Sequence, residues 1–347
     1  MKKTLKVVLL SVLSFTLMFA AVACGKATEP ADQSASVSET VSESATVSAE
    51  ATESAQVSEA VSGEKVVIGF AQSRMNHPYR VAAVEQFQAA VKAAGYNWEV
   101  IVSDGQNDTA KQMADVEDLI VRGVDVIVMS PINAEALAPV AKEVMDAGIP
   151  LVLLDRTIST DDYTVFIGGD NKMIGELVAE QIATAANGKE VKVVQLQGTL
   201  GASATIDRDA GFKETIAKYP NIKIVQDLSA EYDRAAALDT MEDILQVEQD
   251  IFAVYCHNDA MAMGAMTAIQ ADDVKGVLIY GADGTKEVFD EIKKGTIAGT
   301  CLYPTGSEKA VEVIAQMLAG DKIERSYSVE VPYVNIDNVE EMYDQGI

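Results

Sequence analysis

The sequence predicts an α/β protein built as two lobes, each resting on a parallel sheet. Three observations carry this expectation. Short, β-rich apolar runs alternate with helical patterns. Glycine stands just past successive helices, where it supplies the left-handed cap. The whole alternation then begins again at Val191.

In the first half, Val66–Phe70 leads into a helix over Tyr79–Ala94 that ends at Gly95. Glu99–Val102 leads into one over Thr109–Arg122 that ends at Gly123. Val126–Met129 leads into one over Ala134–Ala147 that ends at Gly148, and Leu151–Leu154 follows. Strands covered on both faces read as continuous apolar runs of this kind. In the second half, Val191–Leu196 precedes a helix near Asp207–Tyr219, and Ile222–Leu228 one near Arg234–Gln246. Ala253–Tyr255 precedes one near Asp259–Ala271, and Val277–Gly281 one near Lys286–Lys294. Connections at Phe166–Asp170 and Gly299–Pro304, a further helix Ser307–Leu318 and a late strand Ser328–Val334 imply that the chain crosses between lobes more than once.

The part ahead of Lys65 is of another kind. Lys2, Lys3 and Lys6 precede an almost wholly apolar run from Val7 to Ala23, the layout of an export signal. It closes on Ala21-Val22-Ala23-Cys24-Gly25, which resembles a bacterial lipoprotein signal, with Cys24 as the lipidated first residue of the mature chain. An ordinary signal peptide or a transmembrane anchor is the alternative, although the run is short for a span. From Gly25 to Gly63, 27 of 39 residues are Ser, Thr, Ala or Glu, with no aromatic residue, Leu or Ile. Such a segment buries too little apolar surface to offset its ordering entropy, so a disordered, extended tether is expected.

Composition excludes several functions. The 347 residues carry 27 Lys+Arg against 53 Asp+Glu, a net charge of −26. Setting aside +3 for residues 1–24, −6 for residues 25–63 and −1 for Glu64 leaves −22 on the body. Nucleic-acid binding needs a basic footprint that this chain lacks. Two His and three Cys argue against a metal site or a disulfide scaffold. Cys256 and Cys301 remain a possible pair that spacing does not decide. No G-x-x-x-x-G-K-[ST] or G-x-G-x-x-G occurs, and no cofactor is expected. Asp104-Gly105-Gln106-Asn107-Asp108 opens like a calcium loop but has Thr109 at its sixth position and Asp115 at its twelfth, so it reads as a turn into a helix. Cys256-His257-Asn258 does not make a catalytic array, because triads assemble from distant positions.

In parallel sheets the functional residues lie just beyond the strand ends. These positions carry Arg74, Asn76, His77, Tyr79 and Arg80; Asp155 and Arg156; Thr199 to Ser203 with Arg208; Glu231, Tyr232 and Asp233; His257, Asn258 and Asp259; and Asp283. Carboxylates, amides and guanidinia offer paired donors and acceptors to neighbouring hydroxyls, and tyrosine rings offer a flat apolar partner.

Leu153-Leu154-Asp155-Arg156, the Gly198-Thr199-Leu200-Gly201-Ala202-Ser203 stretch with Arg208, His257-Asn258-Asp259 and Gly281-Ala282-Asp283-Gly284 resemble the ribose-type periplasmic sugar-binding proteins over residues 65–335. Asp104-Gly105-Gln106 and Tyr79-Arg80 are most similar to the galactofuranose-binding branch. The resemblance implies two Rossmann-like parallel-sheet lobes joined by a multi-strand hinge, the type I periplasmic-binding-protein clamshell. With residues 1–23 read as signal peptide and 24–64 as lipidated cysteine and tether, it implies 65–168 plus 303–332 as the N-terminal lobe and 169–302 plus 333–347 as the C-terminal lobe. It also implies a monomer that binds a furanose-like monosaccharide, such as galactofuranose or arabinofuranose, and delivers it to an ABC transporter permease. A sensor that presents a sugar or a furanose-like quorum signal to a membrane kinase or chemoreceptor is the alternative. An enzyme working with Asp155 and Asp283 is not expected.

By this resemblance Asp155 and Arg156 bind ring and anomeric oxygens, Arg208 is a second cleft arginine, and Asn258 and Asp283 are ligands from the second lobe. Tyr232 lines the cleft, Tyr79 and Arg80 form the first-lobe contact, and His77 stands beside them. Each has a local reading too: Asp283 as a turn residue, Asn258 or Asp259 as a helix cap, His77 as the cap ahead of Pro78. Near the hinge, where a polar ligand is common in the family, this chain reads Thr300-Cys301-Leu302-Tyr303, and that wall stays undefined.

Overall fold

The structure, a computed structural model, describes residues 65–347. The expected signal segment, Cys24 and the tether lie outside the described residues. Two six-stranded sheets organise the body. The first holds β1 (Val66–Gln72), β2 (Trp98–Asp104), β3 (Val126–Met129), β4 (Leu151–Leu154) and β5 (Val165–Gly169), in the order β2-β1-β3-β4-β5, all parallel. The second holds β6 (Val191–Gln197), β7 (Ile222–Ser229), β8 (Ile251–Cys256), β9 (Leu278–Asp283) and β10 (Gly299–Leu302), in the parallel order β7-β6-β8-β9-β10. Each sheet gains one late strand. β11 (Ser326–Val329) joins β5 in parallel, and β12 (Tyr333–Asn335) joins β10 antiparallel.

Both sheets are covered on both faces, which is why β3 and β4 are uninterrupted Val, Ile, Met and Leu. On the first sheet, Phe87 of α1 (Pro78–Ala93) and Ile314 of α9 (Ser307–Leu318) share one core. Leu119 of α2 (Thr109–Arg122) and Val140 of α3 (Ala138–Asp146) share the other. On the second, α4 (Asn171–Ala186) and α5 (Ser203–Ile216) bury Ile174, Val178 and Phe212 on one face. There α6 (Arg234–Val247), α7 (Asp259–Ala271) and α8 (Lys286–Lys294) bury Met241, Met261 and Phe289 on the other.

The crossings differ from the sequence reading in detail. Phe166–Asp170 and Gly299–Pro304 are not bare connections: most of each is a paired strand, β5 or β10. α4, which the alternation did not reveal, begins directly after Asp170, whose side chain accepts from Met173 N at 2.9 Å. The single late strand expected over Ser328–Val334 is two strands in different sheets. The chain passes from one sheet to the other between them, at Pro332, whose carbonyl accepts Leu302 N at 2.8 Å. A continuous pairing through that point would need the N–H that proline lacks.

Candidate functional site

Strand order reverses between β1 and β3 in one sheet and between β6 and β8 in the other, so each lobe has a crevice beyond its strand ends. The two crevices face each other. The β1–α1 loop and α1 bring His77, Tyr79 and Arg80, and the end of β4 brings Asp155 and Arg156. From the other lobe α5 brings Arg208, the β7–α6 turn Tyr232, the head of α7 Asn258, and the end of β9 Asp283. All nine line one narrow cavity between the lobes. Arg74, Ala204 and Tyr303 complete its walls. Each of the nine is buried, with 1–8% of its surface exposed.

The backbone prepares these positions. α4 and α5 cross in contact: a Cβ on Gly175 would meet Arg208 O at 2.1 Å, and one on Gly211 would meet Lys172 O at 2.0 Å. That approach sets Asn171, the first residue of α4, beside Arg208, and Arg208 Nε donates to Asn171 Oδ1 at 2.9 Å. Its Nη1 donates to His257 O. Tyr232 lies over the bare backbone of Gly198, where a Cβ would stand 2.0 Å from its Cζ, and Thr205 Oγ1 donates to the Tyr232 hydroxyl at 2.9 Å. Asp259 is structural. Its carboxylate accepts from Thr300 Oγ1 at 2.6 Å, Thr285 N at 2.7 Å and Gly284 N at 3.0 Å, and so secures the turn on which Asp283 stands. Asp283 itself has φ 137°, strained for a residue with a Cβ.

His77 occupies the cap position of α1 without capping it through its side chain. Its Nε2 lies 2.8 Å from Asn258 Nδ2 in the other lobe. Asn258 does cap α7, with Oδ1 accepting Met261 N at 3.0 Å, so it is both helix cap and cavity wall. Arg80 Nη1 sits 2.5 Å from Asp155 Oδ2 and donates to Ser130 Oγ at 2.7 Å. Arg156 donates to Pro131 O at 3.2 Å, and its guanidinium lies 5.3 Å from the Tyr232 ring centre. Arg208 lies 5.2 Å from that of Tyr303.

Burial dominates every charge here, and neighbours decide the outcome. For Asp155 burial alone would raise the carboxyl's pKa, but Arg80, Arg156 and Arg208 outweigh it and hold the group below its ordinary value. Burial, reinforced by Asp259, pushes Asp283 well above the ordinary range despite Arg208 and Arg80. Burial and the neighbouring Arg80 lower Arg156 to about 10. Two buried donors facing this region, Arg156 Nε and His77 Nδ1, have no hydrogen-bond partner among the described residues. A ligand with several hydroxyls meets such a set, and ring faces accept its C–H surface.

Sequence reasoning passed over Arg74 and Tyr303. Arg74 stood in the quoted β1–α1 loop, but its partners, the carbonyls of Glu231 and Tyr232 at 2.9 and 3.1 Å, belong to the other lobe.

Residues 68–322 match the family model described as a periplasmic binding protein domain. The ribose import binding protein of Salmonella typhimurium is 33% identical over 272 residues, covering 78% of this chain and 90% of that one. Among solved structures, a galactofuranose binding protein superposes with a TM-score of 0.77 at 30% identity, covering 81% of this chain and 98% of the other. The binding protein of an arabinose ABC transporter from Shewanella sp. ANA-3, bound to α- and β-L-arabinofuranose, gives 0.75 at 30% identity, with 81% and 95% covered. These relatives are binding proteins and not enzymes. The chain belongs to the periplasmic binding protein family, as a sugar-binding protein of the ribose type.

Proposed function

We propose that this chain is an extracytoplasmic lipoprotein, anchored through Cys24, that closes its lobes on a furanose-like monosaccharide and hands it to an ABC importer permease. The observation that carries the reading is a buried cavity to which both lobes contribute guanidinia and a carboxylate, with Arg156 Nε and His77 Nδ1 lacking a hydrogen-bond partner among the described residues. Asp155, Arg156, Arg208, Asn258, Asp283, Arg80, Tyr232, Tyr79 and His77 are the proposed ligand contacts. Residues 65–168 with 303–332, and 169–302 with 333–347, are the proposed lobes, and the protein works as a monomer.

A ligand that touches both lobes binds the closed form better than the open one and shifts the balance by that difference alone. The furanose reading is supported by the galactofuranose and arabinofuranose proteins that this chain resembles, and the importer by the ribose import protein. Calorimetry of the purified full chain against galactofuranose, arabinofuranose, ribose and galactose tests it. Binding of at least one furanose-forming sugar is expected; silence toward all four overturns the reading.

A further inference from the structure

The Thr300–Tyr303 stretch turns every side-chain polar group it has away from a ligand. Thr300 Oγ1 donates to Asp259 Oδ1 at 2.6 Å, Cys301 lies in one apolar core and Leu302 in another. The Tyr303 hydroxyl is saturated: it accepts from Gly169 N at 3.1 Å and from Asn171 Nδ2 at 3.2 Å, and it donates to Asp155 O at 3.4 Å. One proton and two lone pairs are all a phenol offers, so nothing is left for a second partner. Tyr303 nevertheless lines the cavity, with its ring centre 5.8 Å from that of Tyr79. The Tyr79 hydroxyl spends its proton on Pro304 O at 3.4 Å. Tyr303 therefore presents only ring carbon to the cavity and Tyr79 offers a ring and an acceptor but no donor, while arginines, Asp155, Asp283, His77, Asn258, Tyr232 and Ala204 line the remainder.

We propose that Tyr303 selects a monosaccharide with no hydroxyl on the edge that faces the hinge, a deoxy sugar that sets C–H or methyl against the two tyrosine rings. The proposal rests on the sugar-binding reading given above. A hydroxyl sealed against Tyr303 loses its water and finds no partner there, whereas a C–H or methyl group gains apolar contact with the rings. Sugars that keep their hydroxyl there bind more weakly by about ten- to hundredfold, the range that an unsatisfied buried polar group produces.

Calorimetry of the purified full chain against matched pairs tests this: D-galactose with D-fucose, D-ribose with 5-deoxy-D-ribose, and D-ribose with 2-deoxy-D-ribose. In at least one pair the deoxy member is expected to bind tighter by about tenfold or more. Tyr303→Phe, which keeps the ring, retains that preference. Tyr303→Gln, which brings an amide to the wall, removes or reverses it, with thermal melting reporting that each variant is folded. The proposal falls if sugars bind but every hydroxylated member equals or exceeds its deoxy partner, or if Tyr303→Phe loses the preference. Should none of the sugars bind, the sugar-binding reading falls as well, which is a separate and recognisable result.

Discussion

His77 Nε2 stands 2.8 Å from Asn258 Nδ2, one at the head of α1 and the other at the head of α7, so this side-chain pair bonds one lobe to the other across the cleft. Its direction is determined. Asn258 Oδ1 already accepts Met261 N, so the amide nitrogen donates and the imidazole accepts. The ring is then neutral and carries its proton on Nδ1, an atom with no hydrogen-bond partner among the described residues. A second proton on Nε2 would set donor against donor.

Acid should therefore open the lobes. Burial first, then Arg74, Arg80 and Arg156, lower His77 from 6.5 to about 3, with Asp155 alone opposing them. Opening returns the ring toward its ordinary value, so between those limits the open form binds a proton that the closed form refuses. The His77 contribution to closure is fully present above about pH 6.5 and is lost as pH falls toward 3, by at most about 1.4 kcal/mol per pH unit. Sugar affinity is expected to drop by up to about tenfold per unit below pH 6. His77→Gln keeps an acceptor for Asn258 and does not titrate, so its calorimetric profile from pH 7 to 5 is flatter. Coincident profiles for the two proteins would refute the assignment.

Arg74 gives a second bolt, of a different kind. Its Nη2 donates to Glu231 O at 2.9 Å and Tyr232 O at 3.1 Å, both in residues held in the left-handed region at φ 55° and 57°. Two carbonyls that the turn would otherwise direct into the closing cleft are satisfied from the opposite lobe. Because these partners are backbone, Arg74→Ala should weaken every sugar by a similar factor, about ten- to hundredfold, through faster dissociation. Stopped-flow release measured for two unlike sugars checks this. A loss confined to one sugar would make Arg74 a direct ligand contact instead.

Asp155 and Arg80 make a prediction about stability. Both are buried and 2.5 Å apart, with Arg156 close by, so Asp155→Asn leaves two guanidinia facing each other without their carboxylate. Breaking a buried pair from one side costs about 3–5 kcal/mol, whereas replacing both partners by apolar residues is often nearly neutral. Urea unfolding without sugar should show Asp155→Asn strongly destabilised. The double variant Asp155→Leu with Arg80→Met should recover only part of that loss, because Arg156 stays buried without its carboxylate and a leucine at φ 70° is strained, and should bind no sugar. An Asp155→Asn protein as stable as its parent would contradict the electrostatic account.

Much of the fold was legible because both faces of each sheet are buried, which leaves continuous apolar runs such as Val126–Met129 and Leu151–Leu154 that match their strands to the residue. Strand ends marked the region and the resemblance to the ribose-type proteins picked the nine proposed contacts out of it; all nine line one cavity. What escaped depends on partners distant in the chain. The hinge wall stayed blank because the partners of the Tyr303 hydroxyl, Gly169, Asn171 and Asp155, lie more than 130 residues away. Residue type alone gives no hint of whether a phenol is spent or free. Arg74 escaped for the same reason, and the split of the last strand because Pro332 marks a break without telling which sheet each half joins.

Cys256 and Cys301, which spacing left open as a pair, are separated by the fold. Cys256 ends β8 and Cys301 lies in β10, with β9 between them. Two strand spacings amount to about 9.6 Å, beyond the roughly 7 Å that a disulfide tolerates between Cα atoms. Their side chains also belong to cores on opposite faces of the sheet. Burial pushes the Cys301 thiol up to about 12 and raises Cys256 further, so neither supplies thiolate at neutral pH. Peptide-level mass spectrometry after treatment with an alkylating reagent should find both residues unmodified in the native chain and both alkylated once it is unfolded without reductant. Melting should be indifferent to dithiothreitol. A cross-linked peptide carrying both residues, or alkylation in the native state, would show that β9 does not keep them apart and closed to solvent.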